Sequence, residues 1–237
     1  MTRRYDGVFF DVGFTLVYFE PTTAEVTLRA FREAGVAVDV PALGAAWREV
    51  DRLYNSNRAT ETFDPSEAQD HARELGFRRE VLARLGVRDE QTLRRLVERE
   101  DALYSQPGVM RLYPEVKRVL ARLRGEGYQL GVISNWSWNL RERCRQVGIA
   151  DDFDHIMGSA YAGCQKPHPC IFRQALAGLG VAPERAIHIG DDYAADVVGA
   201  TNAGLTAVLV DREGRHQDDD PACPVIRNLE ELFPILG

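Results

Sequence analysis

The feature that most constrains the fold is an alternation of short apolar runs with helical segments, which begins at Tyr113 and continues to Val210. The segments between the runs have apolar residues three and four positions apart, which is typical of amphipathic helices. Strands that alternate with helices of this length form a parallel sheet with helices on both faces. The sequence therefore predicts an α/β protein with a doubly wound, Rossmann-like parallel sheet. The predicted strands lie at 129–135, 153–158, 186–192 and 206–210, and the predicted helices at 114–125, 140–147, 169–179 and 194–203.

A further strand is predicted near the start of the chain, where Val8, Phe9 and Phe10 form an apolar run buried on both faces. The run ends at Asp11. Ligands of open parallel sheets bind beyond the carboxyl ends of the strands, so Asp11 is a candidate functional residue. For this segment alone, an aspartate that caps a turn is the alternative interpretation.

Between these parts of the chain, helical periodicity predominates and no strand is predicted. We expect residues 18–106 to form an inserted all-helical domain of four or five helices, and residues 1–17 and 107–237 to form the sheet domain. Within the second part, 212–220 is predicted to be a polar loop and 229–236 a short helix.

Composition narrows the possible partners and the compartment. The formal net charge of −7 argues against nucleic acid as a partner. No apolar stretch is long enough to span a membrane, and the first residues do not resemble a signal peptide, so we expect a soluble cytoplasmic protein without membrane partners. The four cysteines contain no CxxC pair, which predicts reduced thiols with neither a zinc site nor a disulfide framework.

Polar residues follow several of the predicted strands at the point where each strand ends. Asp11 ends the first strand, Ser134 and Asn135 end another, and Asp191 and Asp192 end a third, while Lys166 lies in a turn between two of the elements. Carboxylates this close need a cation, and oxygen ligands suit Mg²⁺. The added hydroxyl, amide and lysine donors indicate an anionic ligand such as a phosphoryl group, with Asp11 as its nucleophile.

At this point the sequence resembles a known family, the haloacid dehalogenase-like hydrolases, over residues 5 to 211. The four motifs of that family occur in order: Asp11-Val12-Gly13-Phe14-Thr15, Ile133-Ser134-Asn135, Lys166-Pro167 and Gly190-Asp191 with Asp196. The resemblance implies that the helical insertion is a mobile cap that closes over the site and selects the substrate.

The resemblance also implies individual roles. Asp11 is the implied nucleophile, and Mg²⁺ would be held by Asp11, Asp191 and the main-chain carbonyl of Gly13. Thr15, Ser134, Asn135 and Lys166 would bind the phosphoryl oxygens. Asp196 would orient Lys166, and Asp192 would support the site. His188, inside a predicted strand, is interpreted as a core histidine.

The sequence departs from the phosphatase pattern at Gly13, where the family usually has an aspartate that protonates the leaving alcohol. A positioned acid or base contributes about 10² to 10⁴ in rate, so its loss matters for alkyl phosphates. We therefore predict a Mg²⁺-dependent hydrolase of small phosphorylated metabolites that acts through an aspartyl phosphate. Its activity would be weak or restricted to good leaving groups, unless Glu20, His168 or Asp192 replaces the acid.

Two other interpretations remain open, a dehalogenase and a non-catalytic binding protein, and a third is excluded. A 2-haloacid dehalogenase needs no acid for its leaving group. Such enzymes, however, have a Ser-x-Asn arrangement in the fourth motif, where this chain has Asp191 and Asp192. Phosphonoacetaldehyde hydrolases have a small residue at position 13 but use a cap lysine, and residues 17–106 contain none. A non-catalytic member would bind a phosphorylated ligand or a protein partner.

Overall fold

The computed structural model describes residues 3–214 and 223–237, which form two compact units. The first unit comprises the chain up to Tyr18, Ala59–Ser66 and Leu112–Gly237; the second comprises Phe19–Arg58 and Glu67–Arg111. Residues 59–66 therefore lie in the first unit, although the sequence predicts them within the inserted domain. No helix in the described ranges is both long and apolar enough to cross a bilayer.

The first unit is built on a parallel sheet, which confirms the predicted fold class. In the described residues the strands are β1 (Gly7–Phe10), β2 (Val17–Phe19), β3 (Met110–Leu112), β4 (Gln129–Ser134), β5 (His155–Gly158), β6 (Ala186–Gly190), β7 (Thr206–Val210) and β8 (Val225–Ile226). The strand order in the sheet is β5-β4-β1-β6-β7-β8. This is the doubly wound arrangement, in which the first strand is central and the strand order reverses beside it.

The register of the sheet brings three strand ends to one edge. Phe10 pairs with Val132 of β4 on one side and with Ile189 of β6 on the other, so the residues that follow these strands are neighbours. Successive side chains of β1 point to opposite faces. Phe9 packs in the core cluster beneath one face, while Phe10 makes an edge contact with Phe153, with ring centroids 6.4 Å apart.

Helices cover the sheet and make up most of the second unit. Over the part of the chain that the structure describes, the α-helices are α1 (Thr23–Glu33), α2 (Val40–Asn55), α3 (Glu67–Arg84), α4 (Glu90–Tyr104), α5 (Val116–Gly125), α6 (Leu140–Gln146), α7 (Ser159–Ala162), α8 (Pro169–Leu179), α9 (Gly199–Asn202) and α10 (Phe233–Leu236). In the second unit Asp39 and Asp89 cap helices α2 and α4 at their N-termini, and Thr22 and Glu25 form a capping box at α1.

The structure differs from the sequence predictions in a few elements. The short strands β2 and β3 form a separate two-stranded sheet, and no strand was expected at β2 because three residues carry too little periodicity to be recognised. The predicted helix at 194–203 begins as a π-helical turn, Tyr193–Val198, before α9. Most of the loop predicted at 212–220 lies outside the described residues.

The cysteine prediction is wrong for one pair, because Cys164 and Cys170 form a disulfide. The loop between α7 and α8 turns back on itself and brings their Cα atoms to 6.5 Å, within the usual range for a disulfide. This proximity depends on the turn and not on a recognisable sequence spacing. Cys144 and Cys223 are free, as predicted.

Candidate active site

A buried ion-pair cluster lies at the carboxyl end of β1. Lys166 Nζ is 2.7 Å from Asp11 Oδ1 and 2.5 Å from Asp196 Oδ1, and the lysine is 2% exposed. Asp11 is also buried, and its main-chain N–H donates to the carbonyl of Ile189, which fixes the carboxyl beside β6. The structure thus brings Asp11, Lys166 and Asp196 together from three distant parts of the chain.

The main chain of Lys166 is held by Asn135, which follows β4. The Lys166 N–H donates to Asn135 Oδ1 at 2.7 Å, and Asn135 Nδ2 donates to the Lys166 carbonyl at 3.0 Å. In this structure the Asn135 amide therefore positions the lysine loop. Its direct contact with a phosphoryl group stays a prediction. Ser134 is buried at the end of β4, near the Asp11 carboxyl.

The Asp196 carboxyl contacts His188, which the sequence analysis assigned only to the core. His188 Nε2 lies 2.8 Å from Asp196 Oδ1, inside β6 and fully buried. The other carboxyl oxygen of Asp196 accepts the main-chain N–H of Asp192 at 3.0 Å. His188 precedes the fourth motif by two residues, and this position on β6 is the one sequence signal that could have indicated the contact.

Gly190 is required by the close approach of the Asp196 side chain. A Cβ atom at Gly190 would overlap the carboxyl carbon of Asp196. The π-helical turn after β6 carries Asp196 back over the strand end, and π turns occur frequently at functional sites. The glycine and the turn together place the carboxylate against Lys166.

The charges of the cluster shift its pKa values in opposite directions. Burial alone lowers the pKa of Lys166, but the carboxylates of Asp11 and Asp196 outweigh it and hold that pKa above its usual value. Burial raises the pKa of Asp11. For Asp196 the Lys166 charge and the His188 hydrogen bond overcome burial and hold the pKa well below its usual range. Burial lowers the pKa of His188, so the imidazole is neutral and Nε2 donates to Asp196.

Asp191 adds a further carboxylate to this edge of the sheet. Carboxyl oxygens of Asp11, Asp191 and Asp196 all lie within 4.8 Å of one another. Burial, reinforced by the negative charges of Asp11 and Asp196, raises the pKa of Asp191 to about 7. One lysine does not balance these charges, and a hard divalent cation would be a suitable counter-ion. The carboxyl oxygens of Asp11 and Asp191 therefore fit Mg²⁺.

Gly13, which occupies the position of the usual acid, lies in the loop after β1. Gly13 lies outside the positive-φ region, and a Cβ atom there would meet only Trp136 Cζ3, at an ordinary 3.7 Å. The next residue, Phe14, has a φ of 54°, which is uncommon for a bulky residue and indicates a constrained loop. Phe14 is 47% exposed. Thr15 is buried, with its hydroxyl 3.4 Å from Asp191 Oδ1.

A cavity of about 310 Å³ adjoins Asp191 in the first unit. Arg212 borders it and is anchored by Glu115 at 2.8 Å, by the Thr15 carbonyl at 2.6 Å and by the Tyr113 ring, 3.5 Å from the guanidinium. The cavity is lined by Phe14, Tyr113, Asp191, Val210, Asp211, Arg212 and Glu213.

The three candidate replacements for the missing acid are engaged elsewhere. Asp192 is exposed and caps the π turn by accepting the N–H of Ala195. His168 caps α8 by accepting the Cys170 N–H at Nδ1. Glu20 forms an ion pair with Arg111 within the second unit.

Comparison with known proteins identifies the fold and its relatives. The model of the haloacid dehalogenase-like hydrolase family matches residues 5–204. A phosphoserine phosphatase of Thermus thermophilus is 38% identical over 158 residues, which are 65% of this chain and 61% of that protein. A glyceraldehyde 3-phosphate phosphatase of Methanopyrus kandleri is 31% identical over 223 residues, 91% of this chain and 87% of the relative.

Solved structures include a protein described as a 2-haloacid dehalogenase from Pseudomonas syringae pv. Tomato. It superimposes with a TM-score of 0.69 at 27% identity, covering 98% of each chain. The match to the Thermus relative spans less than two thirds of that protein's length, whereas the Methanopyrus match spans most of it. Proteins named as phosphatases and a protein named as a dehalogenase are thus both similar to this chain.

Proposed function

The chain belongs to the haloacid dehalogenase-like hydrolases, and from this premise we propose that it is a Mg²⁺-dependent phosphatase of small phosphorylated molecules. The observation that carries the proposal is the buried contact of Lys166 with Asp11 at the carboxyl end of the central strand, beside Asp191. The phosphatase names of two relatives support the same reaction class.

Asp11 is the proposed nucleophile. Its carboxylate attacks phosphorus, and the bond from phosphorus to the leaving oxygen breaks with its electron pair on that oxygen. Water then attacks the phosphorus of the aspartyl phosphate, which releases inorganic phosphate and regenerates the carboxylate. The Lys166 ammonium, kept protonated by its two carboxylate neighbours, stabilises the negative charge on the phosphoryl oxygens, and the Thr15 and Ser134 hydroxyls supply further donors.

Mg²⁺ would be held by Asp11, Asp191 and the carbonyl of Gly13, and when bound it would neutralise charge on the phosphoryl group. Asp196 is not proposed as a metal ligand, because its oxygens accept from Lys166, His188 and the Asp192 N–H. Its role is to position the lysine, and the roles of Asn135 and Asp192 are to position the loop and the turn.

The leaving group is expected to depart without a proton from position 13. Gly13 has no side chain, and the three candidate acids already have other partners. We therefore propose that acyl and aryl phosphates react faster than alkyl phosphates, whose alkoxides are poor leaving groups.

The test is hydrolysis of p-nitrophenyl phosphate by the purified chain, with Mg²⁺ and with EDTA. We expect turnover that requires Mg²⁺ and is lost in Asp11→Asn, which keeps the side-chain shape but removes the nucleophilic carboxylate. Asp151→Asn, at an exposed aspartate of the first unit, is the matched control and should retain activity. Equal turnover by Asp11→Asn and the parent would refute the proposal.

A dehalogenase is the second candidate. The absence of an acidic side chain at Gly13 favours it, because a halide ion leaves without a proton. The structural likeness to a 2-haloacid dehalogenase supports the same reading. Chloride release from 2-chloropropionate, dependent on Asp11 but unaffected by EDTA, would establish this activity. Phosphate binding without turnover of either substrate would instead indicate a binding protein.

A further inference from the structure

A second cluster of metal-ligating side chains surrounds the loop that carries Lys166. Cys164, His168 and Cys170 each present a ligand atom, and these atoms lie within 4.8 Å of one another. Cys164 is fully buried, while His168 and Cys170 are partly accessible, so the cluster opens to solvent on one side. None of the three side chains has a part in the proposed hydrolysis.

The structure holds this cluster in its oxidised form, with Cys164 and Cys170 disulfide-bonded. Disulfide sulfurs are neutral and poor metal ligands, whereas thiolates are strong ones. A thiol reductant converts the bond to two thiols and is itself oxidised to a disulfide. In a reducing compartment the dithiol form is therefore the expected one.

We propose that the dithiol form of Cys164, His168 and Cys170 is a binding site for a soft divalent metal of the Zn²⁺ class. Zn²⁺ takes thiolate and imidazole ligands at about 2.0–2.3 Å in tetrahedral geometry, and three protein ligands leave the fourth position to water. Tetrahedral geometry puts two such sulfurs about 3.8 Å apart. The Cα separation of 6.5 Å accommodates this through side-chain rotation alone.

The surroundings of the cluster favour this ligand. Two thiolates and a divalent cation sum to zero charge, so binding places no net charge next to the buried Lys166 cluster. Cys170 is the second residue of α8, where the helix N-terminus stabilises a thiolate. Gln174 Nε2 lies 3.8 Å from Cys170 Sγ, as a donor that would support a metal-bound thiolate.

The experiment is a titration of the full chain with Co²⁺, which reports thiolate ligation through a near-ultraviolet charge-transfer band. The protein is reduced with a phosphine under nitrogen, and free thiols are counted before the titration. We expect a saturable band with one equivalent of Co²⁺, displacement of Co²⁺ by Zn²⁺, and release of the two thiol protons. The oxidised protein should show no band.

Variants separate this site from the carboxylate site. Cys164→Ser and Cys170→Ser should abolish the band, and His168→Asn, which keeps a capping acceptor for α8, should weaken binding by about tenfold or more. Cys144→Ser and Cys223→Ser, at the free cysteines, should leave the band intact, as should Asp191→Asn. The proposal is overturned if the reduced, folded parent gives no band, or if the band survives Cys164→Ser. Neither result bears on the phosphatase assay, which requires Asp11 and not the thiols.

Discussion

Restoring a carboxyl at position 13 is the sharpest test of how the site handles a leaving group. In Gly13→Asp the new side chain starts from a backbone that has no positive φ, and its Cβ meets only the indole edge of Trp136 at 3.7 Å. No neighbouring atom has to move to accept that Cβ atom. The substitution therefore probes chemistry with little expected effect on packing.

The expected magnitude is that of a positioned general acid, and the electrostatics of the site favours its protonated form. The introduced carboxyl would stand two residues after Asp11, whose carboxyl oxygens lie within 4.8 Å of those of Asp191 and Asp196. Nearby negative charge raises the pKa of a carboxyl and so favours the protonated form that a general acid needs. A positioned acid is worth about 10² to 10⁴ in rate, or about 2.7–5.4 kcal/mol of activation free energy.

The assay compares two substrates that differ in their need for a proton. For an alkyl phosphate such as glycerol phosphate, we expect kcat of Gly13→Asp to exceed that of the parent by about 10²-fold or more. For p-nitrophenyl phosphate, whose leaving group is stable as an anion, the gain should be much smaller. Gly13→Asn is the matched control, since it has the same size but cannot donate a carboxyl proton.

Two results would contradict this reasoning. An equal gain for both substrates would mean that the introduced side chain acts through binding and not through proton transfer. No gain with glycerol phosphate, in a variant whose circular dichroism and melting temperature match the parent, would mean that the loop after β1 does not aim position 13 at the leaving oxygen.

Three further outcomes are expected. Lys166→Met should lower the free energy of unfolding by about 3–5 kcal/mol, because it leaves buried carboxylates unpaired, and it should abolish hydrolysis. A urea denaturation midpoint equal to that of the parent would contradict the predicted loss of stability. Gly190→Ala should reduce kcat by about 10²-fold, since the added methyl displaces the carboxylate that orients the lysine, whereas Gly125→Ala, which has open space around its Cβ, should be neutral. Hydrogen bonds, chiefly from Arg185, lower the pKa of Asp6 to about 2. The Asp6 carboxylate therefore stabilises the fold at pH values above its unfolded pKa near 4, and that contribution is lost as the pH falls towards 2. The difference in melting temperature between Asp6→Asn and the parent should shrink over that interval, and a constant difference would refute the assignment.

The fold class could be predicted because it depends on local periodicity. Apolar runs and amphipathic segments alternate along the chain whatever the tertiary structure, and short parallel strands joined by helices leave few topologies available. The predicted strands were found with ends shifted by a few residues. The short strands β2, β3 and β8 were missed, because pairing with another segment defines them.

Candidate site residues were recognisable for the same reason: polar residues that follow buried strands stand out in the sequence. The proximity of Asp11 and Asp191 follows from parallel pairing. That Asn135 holds the Lys166 main chain, and that His188 and Gly190 place Asp196, depends on side-chain directions and on a π turn that no local pattern indicates.

The sequence by itself determined the alternation of the longer strands with helices, the family motifs and the absence of a side chain at Gly13, because residue identity and spacing specify each of these. Only the tertiary structure decided which groups meet. The Cys164–Cys170 bond is an example, because six residues of separation become a contact only through the turn before α8. Spacing sets which contacts are possible, and backbone direction at each turn selects the ones that form.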